Sequence, residues 1–509
     1  MTGAIVLTGE DLTLAEVWEV AVGGAPAELA DSARERMRAA RELVEGIRGE
    51  HTYGVNTGFG RFVSAHIPEE LTEELQLRLL RSHACGVGEP YPDDVVRAAM
   101  LLRANALAKG FSGARVVTVE LLLECLNRGV LPWVPARGSV GASGDLAPLA
   151  HLALPLIGEG QAIVDGELLN GTAALRAVGL EPIRLQSKEG LSLVNGTQFM
   201  AAMASLGVVR AKRLAATADL ACAQSLEALQ GSRTSFLPAV HQARPLKGQQ
   251  ESAANVWRLL DGSAILESHR WCDRVQDAYS LRCAPQVHGA SRDLLDYVEA
   301  TVTVELNAAT DNPLVLVEEG QIVSAGNFHG QPLAFALDAL AIAVAELASI
   351  SERRVERLVN PSLSEGLPPF LVEEGGLNSG FMIPQYVSAA LVSENKVLAH
   401  PASVDSIPTS AGQEDHVSMG NAAGLKALRV LDNAERALAI ELLAGTQAIE
   451  FLAPLQPGGG VRAVHDVVRT MSPRLVEDRS LSTDIELVAE AIRAGTIVAA
   501  AESEVGALA

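Results

Sequence analysis

TQFMAAMASLGVVRAKRLAATADLACAQSLEALQG, residues 197–231, is the stretch that decides the fold class. Its apolar residues recur at helical spacing from end to end, which predicts a single helix. A helix of this length needs packing along most of its faces to be stable. Comparable segments recur at about residues 291–310, 331–360, 381–399 and 417–450. The second part of the chain is therefore predicted to be a bundle of long helices.

The first part of the chain has a different pattern, with shorter and more frequently interrupted helices. Helical periodicity predicts these at about residues 11–22, 28–47, 68–82, 92–109, 112–129 and 145–157. The alternating segment QAIVDGELLNG (161–171) predicts a β-hairpin that turns at Asp165-Gly166. We therefore expect a mainly α protein with two domains, a loop-rich N-terminal region over 1–198 and a long-helix bundle over 199–509.

Composition limits the classes of partner. The chain has 509 residues, 48% hydrophobic but only 4% aromatic, so closely spaced helices with small side chains should form its core. A formal net charge of −22 would repel nucleic acids and anionic membranes. The apolar segment that begins at Leu333 contains Asp338 and Glu346, which favours a buried helix over a membrane span. A small-molecule partner is therefore expected.

Cysteine usage and the first residues indicate the compartment. The five cysteines are widely spaced, without a CxxC pair or clustered histidines: Cys85, Cys125, Cys222, Cys272 and Cys283. This pattern predicts reduced thiols in a cytoplasmic protein and no metal site. The first residues, MTGAIVLTGEDLTL, lack the basic region of a secretory signal peptide.

The segment RGSVGASGDLAPLAH (137–151) could undergo an unusual backbone reaction, because Ala142, Ser143 and Gly144 have so little side chain. If the backbone bends tightly, the Gly144 nitrogen can approach the Ala142 carbonyl carbon. Cyclisation with loss of water and dehydration of Ser143 would give a five-membered ring with an exocyclic methylidene. Such a ring is an electrophile, a function that ordinary side chains lack. By itself, the triplet is more typical of a loop before a helix.

Six segments together resemble the motifs of the aromatic amino acid ammonia-lyase and aminomutase superfamily, in order and spacing, over about residues 50–425. They are YGVNTGFG (53–60), GSVGASGDLAPLAH (138–151), NGTQ (195–198), QDAYSLRCAPQ (276–286), GNFHG (326–330) and QEDHVSMG (413–420). The resemblance implies a fumarase/aspartase-like superhelical core. It also implies a 4-methylidene-imidazole-5-one cofactor formed from Ala142-Ser143-Gly144, and a homotetramer whose active sites are shared between subunits.

Two positions favour an imidazole substrate within that superfamily. Ser82-His83 stands where the histidine-specific members have Ser-His, and Glu414 stands where the phenylalanine and tyrosine enzymes typically lack an acidic pair. A carboxylate can accept a hydrogen bond from an imidazole N–H, and His83 can contact the other side of the ring. The resemblance therefore implies elimination of ammonia from L-histidine to give trans-urocanate, the first step of histidine degradation.

Other matched positions take roles that the resemblance implies. Tyr53 corresponds to the general base, and Arg282 can bind the α-carboxylate in a bidentate fork. Asn195 and Tyr279 are expected to position the electrophile or the substrate amine, with Gln276 and Phe328 beside the cofactor. Four histidines are expected to be structural: His151, His288, His329 and His416.

The sequence leaves alternatives open. A tyrosine or phenylalanine ammonia-lyase would be disfavoured by His83 and Glu414, an aromatic amino acid 2,3-aminomutase would keep the same ring, and an inactive helical scaffold would have lost a ring-forming or base residue. Two positions depart from the usual motifs: Ala325 replaces a frequent glycine, and Gly412 stands where larger residues are often found. Both changes alter pocket volume without touching the expected ligands.

Overall fold

The computed structural model describes residues 3–47 and 52–509, most of them helical. The helices are α1 Leu14–Ala21, α2 Asp31–Gly46, α3 Thr72–His83, α4 Asp93–Ala108, α5 Val116–Asn127, α6 Leu146–Ala153, α7 Gly171–Ala177, α8 Glu189–Val194, α9 Gln198–Ala228, α10 Pro238–Gln242, α11 Lys247–Leu259, α12 Ala264–Ser268, α13 Tyr279–Arg282, α14 Ala284–Leu306, α15 Gln331–Val359, α16 Met382–Leu398, α17 Gly420–Glu450, α18 Gly459–Met471, α19 Ser482–Ala494 and α20 Thr496–Val505. Short 3₁₀ turns occupy Gly60–Phe62, Glu69–Leu71, Leu154–Ile157, Arg233–Phe236, Pro369–Leu371 and Ser410–Gly412. The predicted mainly α class is confirmed.

The chain divides into two compact units whose segments alternate along the sequence. The first unit contains Met1–Val209, Glu299–Asp338 and Pro401–Leu425, and the second contains Arg210–Val298, Ala339–His400 and Lys426–Ala509. Four of the five divisions fall inside the long helices α9, α14, α15 and α17, and the fifth, between His400 and Pro401, follows α16. The domain boundary after residue 198 stays a prediction.

Small sheets belong to the first unit. Their strands are β1 Ile5–Leu7, β2 Ala27–Leu29, β3 Val87–Pro90, β4 Leu131–Pro132, β5 Pro135–Arg137, β6 Gln161–Val164, β7 Glu167–Asn170, β8 Leu314–Leu316 and β9 Gln321–Val323. Strands β1 and β2 pair in parallel, whereas β3 with β5, β4 with β6 and β8 with β9 pair antiparallel. The predicted hairpin is confirmed as β6 and β7, because Asp165 and Gly166 both adopt positive φ in the turn.

Helix α4 lies at the centre of the first unit. From Val95 to Ala108 all but one of its residues are buried, as expected for a helix that is apolar around its whole circumference. Arg103 and Asn105 are its buried polar residues, 0% and 1% exposed. Buried polar groups of this kind need hydrogen-bond partners, and those of Arg103 lie beside the candidate site.

The long helices broadly match their predicted positions, with one clear difference. Helix α14 begins at Ala284, about seven residues before the predicted start near residue 291. Gly289 explains the difference: a Cβ there would lie 2.7 Å from the carbonyl carbon of Gly248, so the glycine permits close packing against α11. Glycine is typical of loops in a sequence, but Gly289 here allows two helices to pack closely.

Helix α15 is long and apolar enough to cross a membrane by length and composition. Two thirds of its most apolar window, 67%, is nevertheless buried within the protein. Asp338 in this helix accepts hydrogen bonds from the backbone nitrogens of Ala402 and Ser403, both at 2.8 Å. The predicted burial of this segment is confirmed.

Candidate active site

The Ala142-Ser143-Gly144 triplet lies in a tight turn immediately before α6. Gly141 and Gly144 have φ of +71° and +73°, a region that favours glycine. A Cβ on Gly144 would collide with the Gly196 carbonyl and lie 2.9 Å from Gly196 Cα. Ala142 is buried in an apolar cluster with Val417 and Met419. The turn is thus closely packed, and its two glycines provide the space for its path.

Backbone and side-chain hydrogen bonds fix this turn. The Gly196 amide donates to the Ser143 carbonyl at 3.3 Å, and the Asp145 amide donates to the Gly196 carbonyl at 2.7 Å. The Ser139 hydroxyl lies 3.3 Å from the Gly144 carbonyl and 3.1 Å from the Asp145 carboxylate. The triplet is therefore braced on both sides.

Asp145 occupies the junction between the turn and α6. Its carboxylate accepts a hydrogen bond from the Met200 amide at 2.9 Å. Complete burial raises the pKa of Asp145 to about 7, although its hydrogen bonds with Met200 and Ser139 act to lower it. Helix α6 begins at the next residue, so its positive N-terminal end lies close to the triplet.

Asn195 is buried and lies at the end of α8, next to Gly196, which hydrogen-bonds the triplet. Its side-chain nitrogen donates to the Asn312 carbonyl at 3.0 Å, and its backbone carbonyl accepts from Arg103 Nη1 at 2.7 Å. The same Arg103 nitrogen donates to Gln198 Oε1 at 2.8 Å. Asn195 Oδ1 is buried without a hydrogen-bond partner in the structure. This buried acceptor could bind a ligand group that donates a hydrogen bond.

The loop with Phe328 is hydrogen-bonded to Asn312, which also bonds Asn195. Asn312 Oδ1 accepts a hydrogen bond from the Ala325 amide at 2.8 Å, and Phe328 is half-buried three residues later. His329 donates to the His416 carbonyl at 3.3 Å. Asn195, Asn312 and the Phe328 loop are thus connected by a continuous chain of contacts.

Glu414 lies close enough to Tyr53 and to His83 for its charge to act on both. The Gly60 amide donates to the Tyr53 hydroxyl at 3.4 Å, and the Ser82 hydroxyl lies 3.0 Å from His83 Nδ1. The Thr409 hydroxyl donates to the Glu414 carboxylate at 2.6 Å. Each of the three side chains is thus held by a neighbour in its own loop or helix.

Charge and burial act differently on the two titratable partners of Glu414. Burial raises the pKa of Tyr53, the Gly60 hydrogen bond lowers it, and the negative charge of Glu414 raises it further. Burial lowers the pKa of His83, while Glu414 acts in the opposite direction. At neutral pH both groups are therefore uncharged beside a carboxylate.

The second unit holds the remaining predicted residues, Gln276, Tyr279 and Arg282. Arg282 donates to the Asp277 carbonyl at 3.0 Å and to Gln276 Oε1 at 2.8 Å, and its guanidinium lies 4.7 Å from the centre of the Tyr279 ring. The Tyr279 side chain is 72% exposed. Gln276 and Arg282 line a cavity of about 870 Å³, together with Arg233, His269 and Arg274.

The four histidines outside the expected site have structural partners. His151 accepts the Gly86 amide at 3.0 Å, and His288 Nδ1 lies 2.7 Å from the Asp219 carboxylate. The rings of His329 and His416 are 5.8 Å apart.

Sequence reasoning missed three residues that hold the site in place: Arg103, Ser139 and Thr409. For Arg103 there was a signal, since it is the single charge in the run MLLRANALA (100–108), which is apolar apart from Arg103 and Asn105. A charged residue inside such a helix is normally either paired or functional. Ser139 and Thr409 are small polar loop residues, which sequence alone cannot distinguish from turn formers.

The first unit thus brings an unsatisfied buried acceptor to a glycine-flanked turn, and it places the Glu414 carboxylate where its charge acts on a tyrosine and a histidine. Residues 12–470 match the model of the aromatic amino acid lyase family. A histidine ammonia-lyase from Gloeobacter violaceus is 56% identical over 100% of this chain and 99% of its own. The chain belongs to the aromatic amino acid lyase family.

Solved structures agree with this assignment. The crystal structure of histidine ammonia-lyase from Trypanosoma cruzi superposes with a TM-score of 0.91 at 47% identity, covering 99% of this chain and 96% of that one. A tyrosine aminomutase from Streptomyces globisporus superposes with a TM-score of 0.94 at 39% identity, covering 99% of this chain and 100% of that one. The fold is thus common to lyases and aminomutases.

Proposed function

We propose that the protein is a histidine ammonia-lyase that eliminates ammonia from L-histidine to give trans-urocanate. Full-length relatives that carry this name support the proposal. The single observation that carries it in the structure is the position of Glu414, whose charge acts on both His83 and Tyr53. A carboxylate close to a neutral imidazole supports the proposal, because both groups can pair with a polar substrate ring.

The substrate ring would lie between His83 and Glu414. Glu414 accepts a hydrogen bond from one imidazole N–H, and His83 contacts the other ring nitrogen. A phenyl ring in the same place would leave two polar groups unpaired, at a cost of about 1–3 kcal/mol each. The pair therefore selects imidazole over phenyl.

Tyr53 takes the role of the base that removes the β-proton. In the free protein, burial and Glu414 both raise the pKa of Tyr53, which opposes deprotonation. When the substrate imidazole binds Glu414, its positive character offsets the carboxylate charge, so one of the two effects that raise the pKa of Tyr53 is reduced. Substrate binding thus favours the active form of the base.

The residues around the triplet fit a 4-methylidene-imidazole-5-one ring formed from Ala142, Ser143 and Gly144. Positive φ at Gly141 and Gly144 supplies the tight path, and Gly144 has no Cβ to collide with Gly196. Asn195 Oδ1 is a free buried acceptor, which suits an N–H of the substrate amine because the ring itself has no donor. Asn195 and Phe328 would hold the ring. Once formed there, the ring would supply an electrophile.

Arg282 takes the substrate α-carboxylate, Tyr279 assists at the reacting amine, and Gln276 lies beside the cofactor. A fork of N–H donors matches a carboxylate bidentately. We also propose a homotetramer with active sites shared between subunits. Exposure of 72% at Tyr279 and 93% at Val275 supports this, because a site completed by another chain needs ligands on an exposed segment.

We further propose a cytoplasmic location. It is supported by the five cysteines, each of which has a free thiol.

The proposal is tested by incubating the protein with L-histidine and following urocanate by its near-ultraviolet absorbance. We expect conversion by the wild type and none by Ser143→Ala, which cannot form the methylidene. Parallel assays offer L-tyrosine and L-phenylalanine, and chromatography of the histidine reaction looks for β-histidine. Turnover of tyrosine with none of histidine, or β-histidine as the product, would overturn the proposal. Full activity in Ser143→Ala would refute the cofactor.

A further inference from the structure

The segment that carries Tyr279 and Arg282 has little regular structure of its own. Helix α13 is four residues long, and Tyr279 at its start is mostly exposed. A helix of one turn is unstable without support from other parts of the protein. That support includes a buried arginine: Arg354 of α15 donates from Nη1 to the Ser280 carbonyl at 3.3 Å.

Arg354 is itself fixed by a buried carboxylate. Its Nη2 donates to Glu441 Oε2 at 2.9 Å and its Nε donates to Glu441 Oε1, while both side chains are 0% exposed. The Ser225 hydroxyl donates to the same carboxylate at 2.7 Å. The fork geometry leaves the guanidinium one orientation, with Nη1 directed at Ser280.

Further buried polar groups extend this contact on its other side. His288 Nε2 lies 3.4 Å from Arg354 Nη1, and His288 Nδ1 lies 2.7 Å from Asp219. Asp219 also accepts from Arg292 at 2.7 Å. Buried ion pairs contribute little net stability compared with apolar residues of equal volume, so stability alone does not account for such an array.

We propose that Arg354 is a positioning residue for the substrate-binding segment 276–282. The proposal rests on the proposed function, since it assigns Arg354 to the placement of Arg282. The Arg282 guanidinium is directed by the Asp277 carbonyl and by Gln276, so its position follows the backbone that Arg354 holds at Ser280. Displacements of about 1 Å in a binding group can cost about a hundredfold in rate.

The test compares Arg354→Lys with Arg210→Lys. Arg210 is a matched control because it forms a similar fork with Glu435, at 2.8 and 2.9 Å, with 9% and 1% side-chain exposure. Lysine keeps the charge but cannot make the fork and the third contact together. We expect Arg354→Lys to raise KM for L-histidine about tenfold, and Arg210→Lys to change it less than about twofold. Hydrogen exchange in the peptide 276–283 should be faster in Arg354→Lys alone.

Equal KM values and equal exchange in the two variants would overturn the positioning role. If the wild type does not convert histidine, the proposed function fails, and the exchange comparison still tests whether Arg354 holds the segment. If Arg354→Lys does not fold, Glu441→Gln is tested in its place, since glutamine keeps the shape of the side chain but removes the negative charge that binds Arg354. A KM raised by Glu441→Gln supports the proposal, and an unchanged KM contradicts it.

Discussion

Replacement of Glu414 by glutamine tests the substrate assignment most directly. Glutamine keeps the length of the side chain and can still accept from Thr409, but it removes the negative charge. A hydrogen bond to a charged group contributes about 1.5–3 kcal/mol, and about 1.36 kcal/mol corresponds to a factor of ten. We therefore expect kcat/KM for L-histidine to fall about tenfold to a hundredfold in Glu414→Gln.

The same substitution has a predictable effect on the pH profile. The charge of Glu414 raises the pKa of Tyr53, so its removal lowers that pKa. The base is active when deprotonated, so the rising limb of the kcat/KM profile should move to lower pH in Glu414→Gln. The pKa of His83 should also fall, because Glu414 favours its protonated form. The variant should therefore be slower at its optimum while becoming active at a lower pH.

The assay is initial-rate urocanate formation across pH, with Asp415→Asn as the control. Asp415 is exposed and adjacent in sequence, so this variant changes the net charge by the same amount in the same loop. We expect Asp415→Asn to retain kcat/KM within about twofold and to keep the wild-type profile. Equal losses in both variants, or a rising limb that moves to higher pH in Glu414→Gln, would refute the reasoning.

Two further predictions concern stability. Gly196→Ala should lower the free energy of unfolding by about 3 kcal/mol, because Gly196 has φ of +151° and its Cβ would lie 2.5 Å from Arg103 Nη1 and 2.6 Å from the Thr310 carbonyl. Urea denaturation beside Gly129→Ala checks this, since Gly129 also has positive φ but open space around it; equal losses would contradict the steric argument. Glu227→Gln should stabilise the protein at pH 8 but not at pH 5. Burial raises the pKa of Glu227 from 4.5 to about 7, so the folded state retains a proton that the unfolded state loses, and wild-type stability falls as pH rises through that window. Denaturation at both pH values should show a gain of up to about 3 kcal/mol at pH 8, and an unchanged pH dependence in the variant would count against it.

The elements that sequence predicted well are those whose signal is local and repeated. Helix α9 was expected over 197–231 and spans Gln198–Ala228, and the hairpin turns where Asp165-Gly166 indicated. The start of α14 could not be predicted because the role of Gly289 depends on α11, which is distant in sequence. Hydrophobic periodicity predicts which face of a helix or strand is buried, whereas the element that packs against that face is set by the tertiary structure.

The same distinction applies to the candidate site. Motifs identified Tyr53, His83 and Glu414 individually, but their proximity depends on the loops around Gly60 and Thr409. The motifs also could not give the direction of the effect on Tyr53. Its pKa is raised in this structure, although a base near neutral pH requires the opposite, and that difference follows from burial and from Glu414.

The polar groups that support the site are buried among apolar helices, and this burial carries a desolvation penalty. Arg103 is fully buried with two of its nitrogens unpaired, and desolvation lowers its pKa to about 10. Such a group weakens the fold unless it does something that an apolar residue cannot. Arg103 holds the Asn195 carbonyl and thereby fixes Gly196, which in turn hydrogen-bonds both Ser143 and Asp145. The buried charge in α4 therefore costs stability and, in return, fixes the turn that contains Ala142-Ser143-Gly144.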